Sequence, residues 1–163
     1  GLVLVTLITL LPILSKSQDI RELKSNSNQL DSTSYLAELN KQIQENQANS
    51  QNLILLADIA LSQGEVDLSY LINDRIRELD PRSFYGHYLP AIAYEATSKP
   101  AKAIMFREKL LKLDPWGNAN MIQLIKNYLA VGNRGEAEAL AAKIHENYPG
   151  SQPDIDASAL LVG

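Results

Sequence analysis

Cysteine is absent from this chain of 163 residues, which excludes disulfides, thiolate metal sites and thiol nucleophiles together and leaves the redox compartment unmarked. Aromatic residues are scarce at 6%, with one Trp, and there are two histidines, His87 and His145. Neither histidine has a second His, Asp or Glu at metal-ligand spacing on its own helical face, apart from the ordinary neighbour Glu146, so no metal ligand is assigned. His87 reads as a core or groove histidine, and His145 as a side chain near a helix end, where the dipole favours a cation. No Gly-rich phosphate loop, nucleophile elbow or HExxH motif is present. An excess of basic residues is also missing. The net charge is −4 and the sequence pI about 5.2, which argues against nucleic acid, whose phosphates call for a clustered basic face. No catalytic, cofactor-binding or metal-binding residue is therefore named, and the chain by itself reads as no enzyme.

What is present is 45% apolar and 21% charged, the balance of a globular protein long enough for one domain and an appendage. The appendage is "GLVLVTLITLLPIL" at residues 1–14. It carries no charge, shows no amphipathic stripe, and as a helix would span about 20 Å from Leu2 to Leu14, less than a bilayer requires. Three readings stay open: the C-terminal part of a membrane span, the apolar core of a signal peptide, and a buried core helix. A signal peptide lacks its basic leader and its small-residue cleavage site here. The organising expectation is a transmembrane segment ending within residues 1–15, with contact to the membrane through residues 2–14. Gly1 in place of Met marks the chain as a fragment or a processed product. Lys16, Arg21 and Lys24 follow, and by the positive-inside rule they lean towards the cytoplasmic side, although Asp19 and Glu22 are interleaved. Residues 16–33, which include most of the polar stretch "KSNSNQLDSTS", read as a flexible linker.

Beyond the linker the chain repeats. "ELDPRS", "KLDPWG" and "ENYPGS" place Pro81, Pro115 and Pro149 at intervals of 34 residues, defining units 50–83, 84–117 and 118–151. In that frame position 8 holds Ala57, Ala91 and Ile125, and position 20 holds Ser69, Ala103 and Ala137. Position 11 holds Ala60, Tyr94 and Tyr128, and position 27 holds Ile76, Leu110 and Ile144. Mostly small residues at 8 and 20 let two helices approach, while larger ones at 11 and 27 fill the space between pairs. This pattern resembles the tetratricopeptide repeat over about 102 of the 163 residues. The resemblance implies an all-α fold, a right-handed superhelical stack of antiparallel helix pairs. Gly64 and Gly132 stand where the first helix of a pair is capped, and Ser98 replaces that glycine in the middle repeat, with Pro100 opening the next helix.

The flanks complete the expected domain at 34–163. Residues 34–49 form a degenerate half-repeat with Leu36, Leu39 and Ile43 at helical intervals, and residues 152–163 form a capping helix over the last pair. Departures from the repeat pattern include Pro90 inside a first helix, which removes a hydrogen bond to residue 86. That helix is therefore expected to be bent or to begin late. Trp116 is expected in the seam between consecutive pairs, and Gly117-Asn118 at the turn, with Asn118 a cap for the next helix.

A stack of this kind implies a concave surface lined by the first helices: Gln51, Ile54, Asp58 and Ser62, then Tyr85, Tyr88, Ile92 and Glu95, then Ala119, Ile122, Lys126 and Leu129. The candidate partner groove is Ile54, Asp58, Tyr85, Tyr88, Ile92, Glu95, Ile122 and Lys126, suited to an extended or helical peptide held by a Tyr anchor. The alternative is that these residues pack against the N-terminal helix, the linker or a membrane domain of the chain's own parent. A Lys/Asn/Arg clamp for a terminal carboxylate, used by chaperone-tail-binding repeats, is not carried over, since Lys126 alone fits it. The expected function is a non-catalytic protein-interaction scaffold tethered to a membrane.

A second resemblance gives the alternative. "LDPRSFYGHYLPAIAYEATSKPAKAIMFREKLLKLDPWGNANMIQLIKNYLAVGN" looks like the repeat tails of bacterial O-antigen ligase or polymerase-type membrane proteins, through LDPR…LDPW, the RE of "FREKLLKLDPW" and YLAVGN. It implies a bacterial inner-membrane location and glycan-transfer residues upstream of this chain.

Overall fold

In a computed structural model of the chain, residues 20–25 and 32–163 are described, and every element among them is helical. The chain divides into two units, Gly1–Pro81 and Arg82–Gly163. The first holds a helical stretch over residues 20–25 and helices α1 (Ser32–Glu45), α2 (Ser50–Ser62) and α3 (Val66–Leu79). The second holds α4 (Phe84–Ala96), α5 (Pro100–Leu113), α6 (Asn118–Ala130), α7 (Arg134–Asn147) and α8 (Gln152–Val162). The membrane segment expected at residues 1–15 lies outside the described residues, and among the described residues no helix is long and apolar enough to cross a membrane.

Three helix pairs follow the 34-residue frame, and their turns repeat bond for bond. At the end of each first helix an amide closes back over a left-handed residue: Glu65 to the Ala60 carbonyl, Lys99 to Tyr94 and Asn133 to Tyr128, at 2.9, 2.8 and 2.8 Å. The left-handed residues are Gly64 at φ 81°, Ser98 at φ 56° and Gly132 at φ 79°. This six-to-one bond satisfies carbonyls that a helix end leaves open. The second helices end alike, with Asp80, Asp114 and Tyr148 donating to the Ile76, Leu110 and Ile144 carbonyls at 2.8 Å each.

Packing explains why small residues recur. Ala57, Ala91, Ser69, Ala103 and Ala137 are fully buried, and the Ser69 hydroxyl donates across the α2–α3 seam to the Ala57 carbonyl at 3.0 Å. Ile76, Leu110 and Ile144 are buried at the facing positions. In the second unit Met121, Leu124, Ile125, Leu140, Ile144 and Ala157 form one core cluster. The Tyr128 hydroxyl, from α6, donates to the Glu108 carboxylate on α5 at 2.8 Å; burial, then that carboxylate, pushes its pKa up.

Several expectations are corrected. The linker placed at 16–33 is helical over residues 20–25, where Ile20 and Leu23 are buried and the Lys24 ammonium pairs with Asp58 at 3.1 Å. The polar composition concealed an Ile-x-x-Leu spacing that puts both apolar side chains on one helical face. Helix α4 begins at Phe84, with the Ser83 side chain accepting from the Gly86 amide, and runs through Pro90 to Ala96. The proline ring crowds the carbonyl four residues earlier, which belongs to Gly86, where no Cβ hinders a tilt. Asn118 is the first residue of α6 rather than its cap; Gly117 holds the N-cap position and supplies no side-chain bond. A Cβ there would come within 2.9 Å of the Asp114 carboxylate, which already accepts from the Trp116 amide. Trp116 itself is 57% exposed, edge-on to Tyr148 and beneath the Lys143 ammonium, and fills no seam.

Helix α8 packs against both α6 and α7. Asp154, at its first turn, accepts from the Gly150 amide at 2.8 Å and faces His145 Nδ1 at 3.0 Å. The Gly150 amide and then His145 hold the carboxyl below its ordinary value.

Ser98 is the one described non-glycine residue with positive φ. A left-handed side-chain-bearing residue costs about 1–2 kcal/mol, while glycine costs about 0.5–1 kcal/mol more chain entropy. Ser98→Gly is therefore expected to stabilise the protein by roughly 0.5–1 kcal/mol, read as a higher urea midpoint at unchanged slope; a lower midpoint would contradict the strain.

Candidate functional site

Within the second unit a groove of about 630 Å³ opens between α4, α6 and the start of α8. One wall is apolar: Phe84, Tyr88 and Ile92 lie at intervals of four along α4, so they share a face. Phe84 and Tyr88 stack with ring centroids 5.6 Å apart. The facing wall is rich in amides, with Asn118, Asn120 and Gln123 from α6 and Gln152 from α8, beside Ile122. Asn118 Oδ1 is buried and accepts no hydrogen bond among the described residues.

The floor is a buried ion pair. Arg107 donates through Nε and Nη2 to the two Glu95 oxygens at 2.9 and 2.8 Å, with side chains only 5% and 20% exposed. Further bonds brace the pair: Arg107 Nη1 donates to Asn120 Oδ1 at 3.3 Å, Asn120 Nδ2 returns to the Arg107 carbonyl at 3.0 Å, and Asn127 Nδ2 donates to Glu95 Oε1 at 2.7 Å. The Tyr88 ring lies 5.5 Å from the guanidinium carbon. A bidentate pair braced by further hydrogen bonds is the arrangement in which two charges stay ionised away from water.

Of the residues expected to line a groove, Tyr88, Ile92, Glu95 and Ile122 meet in this one. Lys126 lies in an adjoining recess of about 340 Å³ with Ile122, Asp156, Ala159 and Leu160. Tyr85 is 51% exposed and outside the groove, packed edge-on against Phe84 and Tyr88. Ile54 and Asp58 belong to α2 in the first unit, where Asp58 is taken up by Lys24. His87 is buried on α4 with its ring tilted against Phe106 at 6.3 Å; His145 meets Asp154. Sequence reasoning missed Phe84, Arg107, the amide wall and Asp156. Arg107 had a visible signal, since it follows Ala103 and precedes Leu110 on the buried stripe of α5, where a lone cation demands a partner.

No group of three or more His, Asp or Glu among the described residues is placed to hold a metal ion. The groove offers apolar contact, amide hydrogen bonds and one carboxylate, Asp156, that forms no ion pair among the described residues.

Arg107→Met would leave Glu95 buried and uncompensated, an omission that costs about 3–5 kcal/mol. Adding Glu95→Gln removes the orphan charge yet keeps an acceptor for Asn127, so the double variant is expected to recover at least about half of that loss. Denaturant unfolding of wild type, single and double variants checks it, and equal destabilisation of the two variants would contradict the coupling.

Among known proteins, no family model matches the chain and no curated protein does; the resemblance to O-antigen ligase tails gains nothing from these comparisons. Solved structures do match. A structure described as MamA protein is similar at 15% identity over 83% of this chain and 78% of its own, with a TM-score of 0.65. MamA from Desulfovibrio magneticus RS-1, from residue 41 to its end, matches at 15% identity over 83% and 78%, with a TM-score of 0.64. A MamA RS-1 double mutant matches at 12% identity over 90% and 91%, with a TM-score of 0.66. At such identities the likeness concerns the fold alone, and the fold is the tetratricopeptide-type helical repeat.

Proposed function

We propose that this chain is a protein-interaction module that binds an extended peptide in the groove of its second unit and is tethered to a membrane through residues 2–14. The observation that carries the reading is the pairing of an apolar wall with an amide wall. A helical peptide arrives with its backbone bonds made, whereas an extended one brings free N–H and C=O groups. Asn118 and Gln123, which line the groove, each bring a side-chain amide with a donor and an acceptor to such a backbone, whereas the Asn120 amide is held by Arg107 and the Gln152 amide by Asp156. Phe84, Tyr88, Ile92 and Ile122 then receive large apolar side chains. The Arg107 charge is cancelled by Glu95, so a terminal carboxylate finds no free cation there; Asp156 instead favours a basic residue at the α8 end.

Panning a random peptide library against the chain is expected to enrich sequences with a bulky apolar residue and a Lys or Arg. Tyr88→Ala and Asn118→Ala should each weaken the selected peptide about ten-fold, equal to about 1.4 kcal/mol. No enrichment, or undiminished binding by both folded variants, would overturn the groove. The tether is read separately: expressed in cells, the chain is expected to remain in membranes through carbonate extraction, and deletion of residues 1–15 to release it. A chain that washes out intact argues against the tether.

A further inference from the structure

Two second helices carry outward stripes that complement each other. On α3, Asp67, Leu71, Asp74 and Glu78 fall within an arc of about 60° at 100° per residue, opposite the buried Ser69, Ile72, Asn73 and Ile76. On α5, Lys102, Met105, Lys109 and Lys112 fall within about 80°, turned away from the buried Ala103, Arg107 and Leu110. Each stripe centres on a large apolar residue that water reaches: Leu71 is 66% exposed and Met105 64%. Leu71 and Met105 occupy the same position of the 34-residue repeat. The lysines of α5 form no ion pair among the described residues. On α3, Asp74 pairs with Arg77 and Glu78 with Arg75, contacts between neighbours on one exposed helix that contribute only a few tenths of a kcal/mol and leave both carboxylates more than half exposed.

We propose that the occupant of the basic α5 stripe is the acidic α3 stripe of a second copy of this chain, Leu71 of one copy packing beside Met105 of the other. The charge signs are opposite, the two patches are of nearly the same length, and each supplies the apolar contact that a charge pair alone lacks. An anionic bilayer would also attract the lysines, but it accounts for the α5 stripe alone, whereas a second copy accounts for the acidic α3 stripe and Leu71 as well. The contact joins unlike surfaces, so it either closes into a small ring or runs on as a filament, according to the rotation it imposes. One helix from each side makes a small interface, and association is weak and governed by salt.

Sedimentation velocity tests this on the chain lacking residues 1–15, which removes apolar association through that segment. At about 20 mM salt the protein is expected to associate as concentration rises, and at about 500 mM, where the Debye length is about 4 Å, to dissociate at least ten-fold more readily. Lys109→Glu/Lys112→Glu and Asp74→Lys/Glu78→Lys are each expected to sediment as monomers, with unchanged helical circular dichroism. Mixed in equal amounts the two variants associate again, because each brings the charge the other now needs. A monomeric wild type at low salt, or a mixture that stays monomeric, overturns the proposal. A monomeric wild type that instead sediments with phosphatidylglycerol vesicles and not with phosphatidylcholine overturns it in favour of the bilayer.

Discussion

Two helices can come only as close as their facing side chains permit, and that limit organises this protein. Ser69 meets Ala57 across one seam, and Ala91 and Ala103 hold the same repeat positions in the next pair, all four fully buried. The close approach lets the short turns at 63–65 and 97–99 connect antiparallel partners. Those turns in turn need a residue in the left-handed region. The 34-residue period is thus a record of one steric condition met again and again, with the carbonyl bonds of each turn following from it.

The ion pair beneath the groove depends on the same packing. Glu95 is near the end of α4 and Arg107 midway along α5, twelve residues apart in sequence yet in bidentate contact. A looser pair would admit water, and an exposed pair of this kind contributes little. Held tightly and joined by Asn120 and Asn127 from α6, it links three helices through directional bonds. Its charge is spent internally, so the groove above presents Tyr88 and the amides rather than a naked cation. The joining of three helices and the charge of the groove floor rest on one salt bridge.

The repeat was legible because it depends on positions with fixed spacing. Pro81, Pro115 and Pro149 exposed the period, and the small residues at 57, 69, 91 and 103 gave the helix-pair packing without any structure. Part of the groove was legible too, since Tyr88, Ile92, Glu95 and Ile122 come from first helices, the elements the repeat pattern ranks as inward. Phe84, Asn118, Asn120 and Gln123 escaped notice on the same first helices because they stand at positions 1, 3 and 6 of the unit, which the pattern does not rank as inward; the rest came from other elements. Arg107 reaches the groove from a second helix by the length of its side chain, and Asp156 and Gln152 come from the capping helix, which has no counterpart in the period. Ile20 and Leu23 were hidden for a different reason: six helical residues amid polar ones give too short a window for periodicity. Trp116 misled because a lone large aromatic invites burial, whereas here its ring rests on Tyr148 at the surface.

Helix α8 performs two tasks with one element. It covers the apolar side of α6 and α7, and its first turn supplies Gln152, Pro153 and Asp156 to the groove. Lengthening the array by splicing another repeat in front of α8 would carry that wall away from α4. The new pair would be well covered and the groove left three-sided. Array length and groove shape are therefore not independent variables here, as they are in solenoids whose concave surface is made of repeats alone.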